Sequence, residues 1–305
     1  VVGDYRTNPG VLPGDYVAFG SAAVGSVSGV RVWQTWNGTA WVDVTSTANA
    51  PEFVATIPPN IYINRGTNVD AASGRVYNNI YVDLEDDSYT FTSYSSTPGL
   101  SIATGKVLEI KKGTFQLGGI LDLQGTSSLI IRKNATMEIQ NTVTSTEFTR
   151  NASTTWEVED TAFVFIDAYV PNAWTGTEIF HDESYFEITD WSNANPLFTG
   201  TGSSIISPTT VSGYSALFGN LSITIPSTGL SGNWTGMLPA SVSFNLTHGD
   251  FDVINNETDN ISLYSGNTST IRIGRNMSVG GTGNFQMQTG AGTLTFTIDG
   301  NLVKN

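Results

Sequence analysis

Four carboxylates within five consecutive residues form a candidate metal-binding cluster. The segment reads Asp-Leu-Glu-Asp-Asp over residues 83–87. Calcium takes six to eight oxygen ligands, many of them from Asp and Glu, so the candidate calcium ligands are Asp83, Glu85, Asp86 and Asp87. The segment lacks the glycine and the spacing of a defined calcium loop. A solvent-exposed turn is therefore the preferred interpretation, calcium is the alternative, and no other cofactor is expected.

A second acidic cluster surrounds the first of the two histidines. It comprises Glu178, His181, Asp182, Glu183, Glu187 and Asp190. A carboxylate pair beside an imidazole can transfer protons when the groups lie within hydrogen-bond reach, but this spacing does not enforce such a geometry. Alternation instead predicts a half-buried strand, with Tyr185 and Glu187 on one face and Phe186 and Ile188 on the other. We therefore expect a structural role and assign no catalytic residue.

The other side chains with chemical potential offer weaker candidates. His248 precedes a turn glycine and has no metal-ligand partner at a useful spacing, so a surface turn is expected there. The chain has no cysteine, and it has no Gly-x-Ser-x-Gly segment in a strand-to-helix setting. Trp174 and Trp191 could form a platform on which sugars stack, although packing inside the protein is the preferred interpretation.

Composition and charge exclude several classes of partner. The 305 residues carry 13 basic and 27 acidic side chains, a formal charge of −14, so neither nucleic acid nor an anionic membrane surface is an expected partner. No apolar run approaches the roughly 18 residues of a membrane-spanning helix, so membrane insertion is not expected. The N-terminus, Val-Val-Gly-Asp, has neither a start methionine nor a basic segment, and we interpret the chain as mature after loss of a signal peptide.

Short alternating apolar runs predict a protein that is almost entirely β-sheet. Such runs begin at Ile61, Ile80, Val107 and Leu129, and each is too short for a helix. Near the N-terminus, two runs flank Asn37-Gly38, which is a strong hairpin signal. The spacing is compatible with either a β-sandwich or a coil that has two or three strands per turn.

A recurring phrase in the C-terminal third favours the coil. Asn is followed by an aliphatic residue or Met at Asn220, Asn245, Asn276 and Asn301, at intervals of 25, 31 and 25 residues. Periods of roughly 20 to 30 residues are typical of stacked coils, in which one coil buries its apolar face against the next. These four Asn side chains are predicted to form a ladder between rungs. The adjoining glycines are expected to supply a left-handed backbone at the corner.

These observations predict an all-β, right-handed parallel β-helix, or β-solenoid, with an N-terminal β-rich capping region. The cap is assigned to residues 1–60 and the solenoid to residues 61–305. A cap is expected because an open terminal coil would recruit other chains. The aromatic-rich residues 143–217 break the regular pattern and are expected to form widened coils or a lateral insertion.

Several phrases resemble those of secreted cell-surface proteins of Bacteroidota. The phrases that open such proteins are similar to Trp33, residues 36–39, Trp41, residues 50–51 and residues 61–69. Their coil phrases are similar to residues 113–119, 218–223 and 292–302. The resemblance implies export by the type 9 secretion route and a C-terminal β-sandwich sorting domain. This sequence ends within a repeat phrase, so we expect a fragment of a longer protein.

The expected function is structural or adhesive and not enzymatic. The chain would be an extracellular segment of a bacterial cell-surface protein that contacts surface glycans or neighbouring subunits, and it would meet the outer-membrane secretion machinery during export. The first alternative is a polysaccharide lyase or glycosidase of β-helix type, because such enzymes place Asp and Glu on one strand face. The second alternative is a self-assembling extracellular filament subunit.

Overall fold

The structure is a computed structural model, and it describes somewhat more than half of the chain. The described residues are 16–18, 33–43, 60–64, 68–70, 76–94, 100–140, 148–167, 176–189, 219–225, 244–246, 249–256, 260–265, 269–289 and 291–305. They contain strands and turns and no helix, so the predicted all-β class is confirmed. Accordingly, no described segment is a helix able to cross a membrane.

The strands are numbered in chain order. They are β1 Tyr16–Ala18, β2 Trp33–Trp36, β3 Trp41–Asp43, β4 Ile61–Ile63, β5 Asn68–Asp70, β6 Val76–Tyr77, β7 Ile80–Asp83, β8 Thr90–Tyr94, β9 Leu100–Ile102, β10 Val107–Lys112, β11 Thr114–Gly118, β12 Leu121–Leu123, β13 Ser128–Ile131, β14 Thr136–Ile139, β15 Phe148–Arg150, β16 Thr155–Val158, β17 Phe163–Asp167, β18 Thr177–Phe180, β19 Tyr185–Thr189, β20 Asn220–Ile225, β21 Phe244–Leu246, β22 Phe251–Asn255, β23 Asn260–Ser265, β24 Ser269–Ile273, β25 Met277–Gly280, β26 Asn284–Thr289, β27 Leu294–Ile298 and β28 Leu302–Lys304.

The chain divides into two compact units. Unit 1 comprises residues 1–158 and 175–177, and unit 2 comprises residues 159–174 and 178–305. The predicted division at residue 60 and the widened coils at 143–217 stay predictions, and much of the latter range lies outside the described residues.

Unit 1 is a parallel β-solenoid with three faces. Face A has the strand order β3-β2-β1-β4-β7-β10-β13-β16, face B has β5-β8-β11-β14, and face C has β6-β9-β12-β15. From β4 onward the chain visits faces A, B and C in turn, and all neighbours from β4 to β16 on face A pair in parallel. The predicted coil is therefore confirmed in this unit.

Rows of aliphatic and aromatic side chains fill the inside of unit 1. On face A one row consists of Ile61, Ile80, Leu108, Leu129 and Trp156, each at most 3% exposed. Parallel pairing places these residues in register, about 4.8 Å apart along the stack, so each is covered by its neighbours. Burial of one such side chain stabilises the fold by about 1.5–3 kcal/mol. The core of the unit is therefore built between rungs rather than within one.

The predicted hairpin forms at the start of face A. β2 and β3 pair antiparallel, with Trp36 opposite Trp41, and β1 pairs antiparallel with β2 and parallel with β4. The Oδ1 atom of Asn37 accepts hydrogen bonds from the backbone N–H groups of Thr39 and Ala40, at 2.9 and 2.8 Å. Gly38 has a φ of 100°, which glycine adopts readily. The Asn-Gly signal is thus confirmed.

Unit 2 is also built from parallel strands that stack into three faces. Face D has the order β17-β19-β20-β22-β25-β28, face E has β21-β24-β27, and face F has β23-β26. All of these neighbours are parallel. The inward row of face D includes Val164, Phe186, Leu221, Phe251 and Met277, and each is at most 1% exposed. Unit 2 is therefore also a parallel β-solenoid, while its handedness stays a prediction.

The corner before face D requires glycines because a side chain would not fit there, and not because the backbone is left-handed. A Cβ atom at Gly249 would lie 1.2 Å from the carbonyl oxygen of Gly219 on the preceding rung, and one at Gly219 would lie 2.6 Å from the carbonyl oxygens of His181, Asp182 and Ser184. Neither glycine has a positive φ. The expectation of a left-handed corner is therefore wrong here, because the close approach of successive rungs selects the glycine.

Replacement of Gly249 by Ala is expected to destabilise unit 2 by at least about 3 kcal/mol, because backbone would have to move to admit the methyl group. The matched control is Gly280→Ala, whose Cβ would meet nothing closer than 3.5 Å and whose effect should stay within about 1 kcal/mol. Urea denaturation followed by circular dichroism measures both. Equal unfolding midpoints for the two variants would contradict the claim that the corner at Gly249 has no room for a side chain.

Candidate functional site

The first acidic cluster forms a turn between β7 and β8. Asp86 and Asp87 are exposed, and Asp86 Oδ1 accepts a hydrogen bond of 2.8 Å from the backbone N–H of Ser88, which lowers the pKa of Asp86 below its ordinary value. Lys112 Nζ donates to the carbonyl oxygen of Glu85 at 2.9 Å. Among the described residues, no three His, Asp or Glu side chains converge to hold a metal ion. Asp83, Glu85, Asp86 and Asp87 do not form such a group, and the calcium alternative stays a prediction.

The second acidic cluster is organised by an arginine that the sequence did not connect with it. Arg275 Nη1 donates to Glu183 Oε2 at 3.0 Å, and Nη2 donates to Glu183 Oε1. The guanidinium lowers the pKa of Glu183, and the carboxylate raises the pKa of Arg275. Glu183 also donates its backbone N–H to Asp160 Oδ1 at 3.2 Å. The pair links distant parts of unit 2 and is solvent-exposed, so its contribution to stability is small.

Strand β19 shows the predicted alternation. Phe186 and Ile188 are each 1% exposed, while Tyr185 and Glu187 lie on the outward face and are partly exposed. The predicted alternation is therefore confirmed, while the structural role of the cluster stays a prediction. The Glu178 side chain and Asp190 lie outside the described residues.

The outward side of face D carries a row of polar side chains. Ser278 Oγ donates to Asp252 Oδ1, and Tyr185 forms a side-chain hydrogen bond with Ser222. Burial, reinforced by the charges of Asp252 and Glu187, raises the pKa of Tyr185, and burial also raises the pKa of Glu187. The tyrosine therefore stays protonated at neutral pH, and the row is held together by bonds between rungs.

Two carboxylates of this row are the pair that a glycosidase would need. Glu187 lies opposite Ser222, and Ser222 lies opposite Asp252, so the two acidic residues are two rungs apart. Two rungs correspond to about 9.6 Å between backbones. That spacing is near the upper end of the roughly 6.5–9.5 Å separation of carboxyl groups in inverting glycosidases. Glu187 belongs to the acidic cluster recognisable in the sequence, whereas Asp252 lies outside it.

A polar ladder runs along the start of the face D strands, and it differs from the predicted one at one rung. Asp250 donates its backbone N–H to Asn220 Oδ1 at 3.0 Å, and Asp250 Oδ1 accepts the backbone and side-chain N–H groups of Asn276 at 2.8 and 3.0 Å. Asn276 Oδ1 accepts the same two groups of Asn301 at 3.0 and 3.2 Å. The ladder is therefore Asn220, Asp250, Asn276 and Asn301.

The assignment of Asn245 to this ladder was wrong. Asn245 belongs to β21, where it lies opposite Arg272 on face E. The phrase around Asn245 matches the repeat, but it occurs within a strand of a different face. Asp250 takes the ladder position because its carboxylate oxygen accepts the same two donors as an Asn carbonyl oxygen. A search of the sequence for Asn residues alone could not identify Asp250 as a member of the ladder.

Unit 1 contains a second ladder that the sequence analysis missed. Asn60 Oδ1 accepts the backbone and side-chain N–H groups of Asn79, both at 3.1 Å. Asn79 Oδ1 accepts the backbone N–H of Val107 on the next rung at 3.1 Å. Both Asn residues precede similar phrases, Ile-Tyr-Ile and Ile-Tyr-Val, and that similarity was the available signal.

A chain of aromatic side chains lies on the outward side of face A. Trp36 and Trp41 have ring centroids 5.5 Å apart, Trp41 meets Tyr62 edge-to-face at 6.4 Å, and Tyr62 stacks on Tyr81 at 5.2 Å. Lys111 Nζ lies 4.9 Å from the centre of the Tyr81 ring. We call Trp36, Trp41, Tyr62 and Tyr81 the aromatic strip.

Most of the aromatic strip is accessible. Tyr62 is 2% exposed, whereas Trp36, Trp41 and Tyr81 are partly exposed. The short runs that begin at Ile61 and Ile80 could not show that the hairpin brings two tryptophans beside Tyr62 and Tyr81. Trp174 and Trp191, for which a sugar platform was the alternative to packing, lie outside the described residues, as does His248.

Comparisons with known proteins give no relative: no protein-family model, no curated protein and no solved structure matches the chain.

Replacement of Asn276 by Ala is expected to cost about 1–3 kcal/mol, because it removes one donor and leaves the two donors of Asn301 without their acceptor. The control is Asn301→Ala at the end of the ladder, which removes a single side-chain bond and should cost less than about 1 kcal/mol. Thermal unfolding of both variants measures the difference. If Asn301→Ala were as destabilising as Asn276→Ala, the ladder would not transmit stability between rungs.

Proposed function

We propose that this chain is a non-enzymatic, structural and adhesive segment of a secreted bacterial cell-surface protein. It supplies a stack of coils whose outward side chains contact glycans, other surfaces or neighbouring subunits. The observation that carries the proposal is that outward polar side chains bond to equivalent positions of the next coil. The surface is thereby fixed in place, as a contact surface must be.

Face B provides the clearest example of this fixed surface. Thr92 Oγ1 donates to Gln116 Oε1 at 2.9 Å, and Gln116 Nε2 donates to Glu138 Oε2 at 2.9 Å. The three residues lie opposite one another on successive strands. On face A, Glu109 accepts a 2.6 Å hydrogen bond from Arg132 Nε. Each contact spans rungs, so the outward rows reinforce the inward ones.

The proposed setting is extracellular and rests on the phrases shared with Bacteroidota surface proteins. Export through the type 9 route would bring the chain into contact with the outer-membrane secretion machinery. A solenoid needs neither a disulfide nor a metal to hold its rungs together, because stacking supplies the stabilisation. This suits a cysteine-free chain outside the cell.

The enzymatic alternative rests on Glu187 and Asp252. Both lie on one outward face, and burial raises the pKa of Glu187, as a general acid requires. The hydrogen bond from Ser278 occupies one oxygen of Asp252. We favour a structural role for this row because its other members, Tyr185 and Ser222, are bonded to each other.

Two measurements on the purified chain test the proposed function. The chain is incubated with intact bacterial cells and with soluble polysaccharides, and both the retained protein and the newly formed reducing sugar ends are measured. We expect retention on cells without sugar release, since the surface is built for contact. Sugar release that is lost in the double variant Glu187→Gln, Asp252→Asn would establish the enzymatic alternative. Failure of the wild-type chain to bind any cell or polysaccharide would overturn the adhesive proposal.

A further inference from the structure

We infer that the aromatic strip of unit 1 is a binding site for neutral, pyranose-containing glycans. The inference rests on the proposed adhesive function and adds the chemical class of the ligand. It places the stacking contact on Trp36 and Trp41, next to Tyr81.

The two indoles of the strip have surfaces that sugars can use, whereas the Tyr81 ring is covered by its neighbours. Tyr81 has Tyr62 on one side at 5.2 Å, and the Lys111 ammonium lies 4.9 Å from its centre, so its ring is held between two neighbours. The indoles of Trp36 and Trp41 are tilted by 59° to each other, and both remain partly exposed. Two inclined indoles present large flat apolar surfaces, and the C–H face of a pyranose ring is flat and apolar as well.

Packing alone leaves polar atoms around the strip unsatisfied. Trp41 Nε1, Gln34 Oε1 and Asn64 Oδ1 are buried and have no hydrogen-bond partner in the described part of the chain. Gln34 is in register with Tyr62 through Val17 of β1, and Asn64 lies two residues beyond Tyr62, so both share the outward side of the strand with it. A buried polar atom without a partner costs about 1–3 kcal/mol.

One donor and two acceptors match the chemistry of hydroxyl groups. A sugar hydroxyl both donates and accepts hydrogen bonds, so a bound glycan can satisfy the indole N–H and the amide oxygens, either directly or through an ordered water. A hydrocarbon partner would leave all three atoms unpaired. The combination of indole faces with unpaired amide oxygens therefore favours a carbohydrate over an apolar peptide or lipid.

Charge selects neutral glycans over acidic ones. The chain carries a net charge of −14, which repels polyuronates at a distance. Two cations of the described residues beside this face are already engaged: Lys111 lies against Tyr81 and 4.0 Å from Glu109, and Arg132 donates to Glu109. Neither of these two described cations is therefore free to fix a carboxylate.

Affinity gel electrophoresis of the full chain tests the inference. The gels contain a mannan, a mixed-linkage β-glucan or polygalacturonate as the probe. We expect retardation by at least one neutral polysaccharide and none by polygalacturonate. Trp41→Ala and Trp36→Ala should each weaken binding about tenfold, because each removes one stacking surface. Trp41→Phe should restore only part of the affinity, since it keeps a ring but lacks the indole N–H.

The control is Tyr89→Ala, which removes an aromatic side chain that is 44% exposed and lies in the turn before β8, outside the strip. Its binding should match that of the wild type. Thermal unfolding of every variant distinguishes a loss of binding from a loss of folding. If Trp41→Ala does not fold, Trp36→Ala is the variant that tests the strip. Equal binding by the folded strip variants and the wild type would overturn the inference, as would preference for polygalacturonate or retardation by no neutral probe. If the wild-type chain still adhered to cells in that case, the adhesive function would stand and only the strip would be rejected.

Discussion

The structure depends on one constraint: a rung has a dry interior only because another rung covers it. The strands are two to six residues long, and a single rung could not bury its own apolar side chains. Parallel pairing in register places Leu108 beside Ile80 and Leu129, and all three are at most 1% exposed. Because the inward rows are continuous within each unit, a substitution at one rung is felt at the next. This is the nearest-neighbour behaviour of repeat proteins.

Register is maintained by polar contacts at the strand starts as well as by the core. A slip of one residue would turn every inward side chain outward, so a device that fixes the first residue of each strand has a large effect. The ladders Asn60–Asn79 and Asn220–Asp250–Asn276–Asn301 do this with side-chain oxygens that accept the backbone N–H of the next rung. The corner at Gly249 adds a steric constraint, since a side chain there would collide with the preceding rung.

The sequence predicted the coil because its signals are local and repeated. Alternation identified the inward positions, Asn37-Gly38 identified the hairpin, and the Asn phrases identified the stacking. The prediction from sequence failed for residues whose place in the structure depends on the fold rather than on their residue type. Asp250 replaces Asn245 in the ladder because a carboxylate accepts the same bonds, and the Glu183–Arg275 pair joins residues 92 positions apart. The aromatic strip depends on how the hairpin lies against Tyr62, which no local pattern encodes.

The most direct test of the central claim is a pair of double-mutant cycles in unit 1, measured by urea unfolding. The first cycle combines Leu108→Ala with Leu129→Ala, which are neighbours in one inward row. The second combines Leu129→Ala with Ile61→Ala, which belong to the same row and are separated by two intervening rungs. Stacking predicts a coupling energy of at least about 0.5 kcal/mol for the neighbours and additivity within about 0.5 kcal/mol for the separated pair. Additive effects for the neighbours, or equal coupling in both cycles, would contradict the account.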